Sequence, residues 1–195
     1  MMDDDLRLFE RTRENKLVAI TAYGLERMMH EAMKEVVEPL ISSVVISTRF
    51  MNFAKPDRSY VVTQSQAILY NSKIFNDIMW DPKTVCYEDT FRLLSLFKAG
   101  YLNVQLGNFA IDPGKMNTPG GLHGFRNTEV FSTEVARTQA SFGDWVGKTR
   151  AEHYVGVGEH DEIKIFMKKV REYLCEKLNN DSRIPTRKRG VKNEL

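Results

Sequence analysis

Apolar positions recur along this chain with either helical or strand spacing, and the breaks between runs fall at proline and glycine. Leu25, Met28, Met29, Ala32, Met33 and Val36 occupy the i, i+3, i+4, i+7 positions of one helix face, with Thr21 as N-cap and Pro39 closing the run. The Met28, Met29 and Met33 stripe reads as core packing, since flexible thioethers fill irregular gaps. Residues 43–48 form a β-branched run and predict a buried strand. A turn over 54–59, around Lys55-Pro56-Asp57-Arg58, leads into a second extended stretch, 60–70. Its centre, Thr63-Gln64-Ser65-Gln66, must face something polar. A short helix over 71–76, anchored by Phe75 and Ile78, is broken by Trp80-Asp81-Pro82.

Phe91, Leu93, Leu94, Phe97 and Ala99 mark a helix ended by Gly100, and Leu102, Val104 and Leu106 then alternate with polar residues as a half-buried strand. That order is an αβ unit. Residues 112–121, DPGKMNTPGG, hold too many breakers for helix or sheet and predict a loop leading into Leu122-His123-Gly124-Phe125-Arg126. Thr128 is placed to cap a helix through Val130, Phe131, Val135 and Ala136, ending near Gly143 with Trp145 docked at its C-terminal side. A flexible segment over 153–160 precedes a final helix with apolar Ile163, Phe166, Met167, Val170, Leu174 and Leu178. Residues 7–16, charged apart from a few anchors such as Leu8 and Phe9, read as a loop or short turn.

Composition narrows the class. The chain has 195 residues, 42% hydrophobic, with a formal net charge of +2, which suits one domain with a proper core and argues against a generally basic nucleic-acid binder. The charge is uneven: the front is acidic, whereas Arg183, Arg187, Lys188, Arg189 and Lys192 make residues 179–195 a basic tail predicted to be disordered. Cys86 and Cys175 belong to no CxxC or Cys/His cluster, so neither a zinc site nor a disulfide framework is expected. No run approaches the roughly 20 apolar residues of a membrane span, and the acidic start is the reverse of a signal peptide. A soluble protein of the cytoplasm, or of a host cytoplasm if phage-encoded, is the expectation.

Two carboxylate sets carry the candidate chemistry. In Met2-Asp3-Asp4-Asp5-Leu6 three consecutive like charges repel, and a folded protein holds such groups together around a divalent cation and a phosphate-bearing ligand. Asp3 and Asp5 can point the same way from an extended segment, with Asp4 directed elsewhere. A solvated acidic terminus is the competing reading. Glu88-Asp89 opens a helix, where carboxylates are also favoured as caps and by the helix dipole. Capping and catalysis both fit that position.

In series, DDDL, a strand with a polar centre, YEDTFRLLSLFKAGY and a loop with GGLHGFR resemble the nucleotide-sugar glycosyltransferases of the GT-A fold. The nearest likeness is to the TET-associated phage DNA glycosyltransferase family, over about residues 2–169, through Asp3-Asp4-Asp5-Leu6, Glu88-Asp89, Pro119-Gly120-Gly121 and Arg126 in that order. The resemblance implies an α/β fold with a mixed sheet flanked by helices, the C-terminal part of a GT-A domain over residues 1–178. It implies that Asp3 and Asp5 hold manganese or magnesium and the nucleotide diphosphate, and that Asp89 is the general base for an acceptor hydroxyl with Glu88 supporting it. A single base without a nucleophile implies inversion.

By the same resemblance His123 is the candidate third metal ligand, and Arg126 and Lys115 are donor contacts. Thr63, Gln64 and Ser65 are candidates for lining the acceptor side. The acceptor expected is a hydroxymethylated base in phage DNA, whose backbone the basic tail could contact. A GT-A enzyme carries a nucleotide-binding half ahead of its Asp-x-Asp motif, so the resemblance also calls for a second chain or further sequence to supply it. The alternative from another class is a non-catalytic phage or bacterial nucleic-acid-binding accessory protein. The acidic-plus-lysine cluster of a metal-dependent nuclease is not evident.

Overall fold

The structure is a computed structural model that describes residues 7–49, 56–63, 67–78, 83–84, 86–112, 127–152 and 158–185. Its elements in chain order are β1 (Arg7–Arg11), β2 (Leu17–Ala19), α1 (Ala22–Val36), β3 (Ile41–Thr48), β4 (Arg58–Tyr60), β5 (Ala67–Tyr70), α2 (Ser72–Asp77), α3 (Glu88–Ala99), β6 (Leu102–Asp112), α4 (Thr128–Phe142), β7 (Val146–Ala151), β8 (His160–Ile165) and α5 (Met167–Lys177). It is a mixed α/β protein in which helices flank a mixed sheet, as expected.

The sheet is built around one parallel pair. β3 and β6 run side by side from Ile41↔Leu102 to Thr48↔Ile111, and β5 lies antiparallel on the other edge of β3. β6 changes its second neighbour midway: β4 pairs antiparallel with Val104–Leu106, and β1 with Phe109–Asp112. The β3–β6 register jumps between these two halves, from Val45↔Gln105 to Ser47↔Ala110, which marks a bulge in β6. β2 extends the sheet beyond β1, and β7 and β8 form a separate antiparallel ribbon.

Several elements form for the reasons read from the sequence. The Thr21 hydroxyl accepts the Gly24 N–H at the start of α1, and Gly24 admits the Glu10 carboxylate, since a Cβ there would come within 2.5 Å of it. Gly100 ends α3 with φ +99, where a residue with a Cβ would be strained. Leu93, Leu94 and Phe97 join Ile41, Val44, Val104 and Leu106 in one core, each contributing about 2–3 kcal/mol by burial.

Other expectations give way. Residues 7–16, expected as a loop, supply β1 and a turn into β2, because pairing with β6 satisfies backbone groups that a short polar segment cannot signal by periodicity. The stretch over 60–70 is not continuous, since it turns at Val61, whose φ is +52. β6 is not half-buried: Asn103 and Gln105, on the alternate positions, are as enclosed as their apolar neighbours, so both faces of the strand are covered. Asn127, not Thr128, caps α4 by accepting the Val130 N–H. Ile163 lies in β8 rather than in the last helix, and β8 begins at His160, the last residue of the segment expected to be flexible.

The first part of the expected tail folds back. Asn180 N–H donates to the Cys175 carbonyl, Arg183 clasps Asp181, and Ile184 is buried. One isoleucine among polar residues escapes a compositional reading. Residues 186–195 lie outside the described residues. No helix among the described residues is long and apolar enough to cross a membrane.

Candidate functional site

The parallel pair gives the sheet a defined carboxyl end, at Thr48 in β3 and Asp112 in β6. Arg7, which opens β1, is the register partner of Asp112, and Ala67, which opens β5, faces Ile46 near the end of β3. Four segments outside the described residues are therefore joined to the sheet at this end: 1–6 ahead of Arg7, 50–55 after Arg49, 64–66 ahead of Ala67, and 113–126 after Asp112. Asp3, Asp4 and Asp5, Gln64 and Ser65, and Lys115, His123 and Arg126 all fall in these segments and so lie outside the described residues. Thr63 is described and exposed, two residues beyond the turn at Val61.

Glu88 and Asp89 open α3. This helix enters β6 through Gly100 and Tyr101 and packs on the same core, and Arg92, one turn after Glu88, lies over the rings of Tyr70 and Phe75, with Tyr70 paired to Ser43 near the start of β3. Tyr87, at the N-cap, makes no side-chain cap bond. Instead Glu134, buried within α4, accepts the backbone N–H groups of Cys86 at 2.9 Å and Tyr87 at 3.0 Å. The capping role that the sequence left open for Glu88-Asp89 thus falls largely to Glu134.

The two residues of the pair differ sharply in environment. Asp89 is exposed, whereas Glu88 is half-buried. Burial raises the Glu88 pKa above the ordinary value, the charges of Asp89 and Glu134 add to the rise, and a bond to its own backbone N–H and the nearby Arg92 partly oppose it. A carboxyl tuned upward beside a solvent-facing carboxylate is a pair suited to taking up and releasing a proton.

Around this turn α4 and the β7–β8 ribbon form a support. Arg137 donates to the Lys83 carbonyl at 2.8 Å, and the Thr138 hydroxyl to the Glu134 carbonyl at 2.7 Å. The Tyr87 ring meets Phe131 edge-on at 5.6 Å, and its hydroxyl donates to the Asp161 carbonyl at 3.3 Å. Phe131 in turn stacks on the buried His160 ring at 4.5 Å. The Asp161 carboxylate accepts from the Ser132 hydroxyl at 3.1 Å and faces Lys148 and Arg150 at 3.4 Å each.

Glu134, His160 and Asp161 were missed in the sequence. Glu134 carried a signal: it shares the α4 stripe of Phe131, Val135, Thr138 and Phe142, and a lone carboxylate on an apolar stripe must have buried donors to satisfy it. His160 and Asp161 had none: His160 ends the stretch read as flexible, and Asp161 directly follows it. No group of three His, Cys, Asp or Glu side chains among the described residues is arranged to hold a metal ion. Comparison with known proteins finds no matching family model, curated protein or solved structure.

Proposed function

We propose that this chain carries the metal and acceptor side of a nucleotide-sugar glycosyltransferase of GT-A type. The observation that supports this reading most is the convergence at one end of the sheet. The segments bearing the Asp3–Asp5 triplet and Lys115, His123 and Arg126 attach at register partners, Arg7 and Asp112, at the carboxyl end of the parallel pair. Open α/β sheets bind ligands in the crevice outside the carboxyl ends of their strands.

In this reading Asp3 and Asp5, with His123, hold manganese or magnesium against the donor diphosphate, and Arg126 and Lys115 bind its oxygens. The acceptor oxygen attacks the anomeric carbon as the bond from that carbon to the phosphate oxygen breaks. The nucleoside diphosphate leaves with the electron pair, and the hydroxyl proton passes to a carboxylate of the Glu88-Asp89 pair. One base and no covalent intermediate give inversion. A hydroxymethylated base in phage DNA is the acceptor the resemblance favours, and Gln64 and Ser65 remain candidates for its side of the crevice, whereas Thr63 follows Val62, which Asn103 holds near the start of β6, away from Asp112.

The test is binding and turnover of a panel of nucleotide sugars with manganese, by calorimetry and by release of nucleoside diphosphate. Manganese-dependent binding that Asp5→Asn abolishes, with transfer lost in Asp89→Asn or Glu88→Gln, supports the reading. No binding of any donor with manganese, together with no measurable change in Asp89→Asn, overturns it in favour of a non-catalytic accessory protein.

A further inference from the structure

Three guanidinium groups gather where β4, the middle of β6, α5 and residues 181–185 meet, and their charges are not equally matched. Arg58 pairs with Glu35 at 2.6 Å and Glu31 at 3.1 Å, and Arg183 with Asp181 at 2.7 Å. Arg171 has no carboxylate partner among the described residues. Its single protein hydrogen bond there runs from Nη2 to the Val61 carbonyl at 3.2 Å, and its Nε is shielded from water without a partner. A guanidinium offers five donors, so most of its capacity is unused. Burial alone lowers the Arg171 pKa, with no neighbouring carboxylate opposing it.

The contact that orients Arg171 is itself strained. Val61 is fully buried with φ +52, a region that β-branched residues almost never occupy. The surroundings enforce it: the Val61 N–H donates to the Asn103 carbonyl at 3.1 Å, and the Asn103 side chain clasps Val62 through both its N–H and its carbonyl at 2.9 Å. Strain maintained in this way accompanies sites where a group must be held in place. Here it aims the Val61 carbonyl at Arg171.

Two adjoining cavities, of about 660 and 380 Å³, share Arg171 and Pro185 in their walls. Lys168 borders the larger, and Arg58, Tyr60, Gln105 and Arg183 border the smaller. The larger also has Glu172 and Glu176 in its wall, Glu172 facing Lys168 at 3.6 Å. The smaller has donors and no carboxylate among its described lining residues. Its position opposite Leu106, Gln105 and Val104 sets it roughly 20 Å along β6 from Asp112, at a strand rise of about 3.3 Å per residue.

We propose that this cleft is a second ligand site, in which Arg171 binds an oxyanion group, a phosphate or a carboxylate, of a small molecule. The pairing of Arg58 and Arg183 leaves one positive charge to be met, and the planar fork of Arg171 suits two oxygens of one anionic group. Tyr60 and Gln105 border the space the rest of the ligand would fill. The site stands apart from the glycosyltransferase reading and is tested without reference to it.

The experiment is a titration of ¹⁵N-labelled protein with inorganic phosphate and, separately, with malonate, following the Arg171 Nε–H and the Val62 amide. Saturable shifts of both signals with either anion are expected, and the stronger of the two identifies the oxyanion class. Arg171→Lys, which keeps the charge and loses the fork, is expected to weaken the affinity about tenfold. Absence of saturable shifts with both anions in the native protein overturns the proposal whether or not the variant folds. Unchanged affinity in a folded Arg171→Lys overturns it equally.

Discussion

Glu134 holds Tyr87: its buried carboxylate, on α4, accepts the Tyr87 backbone N–H at 3.0 Å and so caps α3 from a different helix. The residues that lead into α3 are thereby fixed by tertiary structure, while Glu88 bonds its own backbone N–H in the first turn. Removal of the acceptor by Glu134→Ala leaves the Cys86 and Tyr87 N–H groups unmet and is expected to cost about 3 kcal/mol in urea unfolding. Glu134→Gln keeps an oxygen acceptor and is expected to cost about 1 kcal/mol. Faster hydrogen exchange at Cys86 and Tyr87 in the alanine variant, with β3 and β6 unchanged, checks that the effect is local.

The turn at Val61 depends on Asn103 in the same way. Two side-chain bonds of 2.9 Å hold Val62, and Asn103 is fully buried in β6. Asn103→Ala is expected to destabilise by about 3 kcal/mol, since the Val62 N–H and carbonyl both lose their partners. The Arg171 Nε–H resonance should shift in that variant, because the carbonyl that orients Arg171 is released.

Glu88 sets a pH dependence. Its folded-state pKa is raised, so its contribution to stability is present below its unfolded value and is lost as pH rises through the folded value. Glu88→Gln is expected to remove that slope and to gain stability relative to the native protein on the neutral side. If Glu88 is the base in transfer, the acid limb of the rate profile lies above the ordinary carboxylate range. If Asp89 is the base, the limb remains in the profile of Glu88→Gln. Urea unfolding and turnover measured across pH separate the two.

Asp161 acts with the opposite sign. Burial by itself would raise its pKa, but the Ser132 hydroxyl, Lys148 and Arg150 outweigh it and hold the carboxyl below its ordinary value. Its stabilising contribution is therefore present above the unfolded value of about 3.9 and is lost as pH falls through the folded one. Asp161→Asn is expected to lower Tm at neutral pH and to narrow the gap to the native protein in acid. Because Lys148 and Arg150 are more than half exposed, added salt should shrink part of the neutral-pH difference.

Local signals in the sequence determined the elements whose causes are local. Thr21 announces α1, Gly100 ends α3, and the 43–48 run becomes the buried strand β3, because capping, positive φ and β-branching act over a few residues. The Asp3–Asp5 triplet and Glu88-Asp89 were likewise legible as candidate chemistry, since clustered like charge stands out in a single chain. Tertiary structure alone decided that β1 enters the sheet beside the exit of β6, that β6 changes partner midway, and that Glu134 holds the start of a helix at Tyr87, 47 residues before it in the chain. These pairings join segments far apart in sequence, and neither a short polar strand nor a lone buried glutamate carries a periodic pattern that names its partner. The charge of Arg171, which meets no carboxylate among the described residues, belongs to the same class: in the sequence it is one arginine among many, and only folding shows what surrounds it.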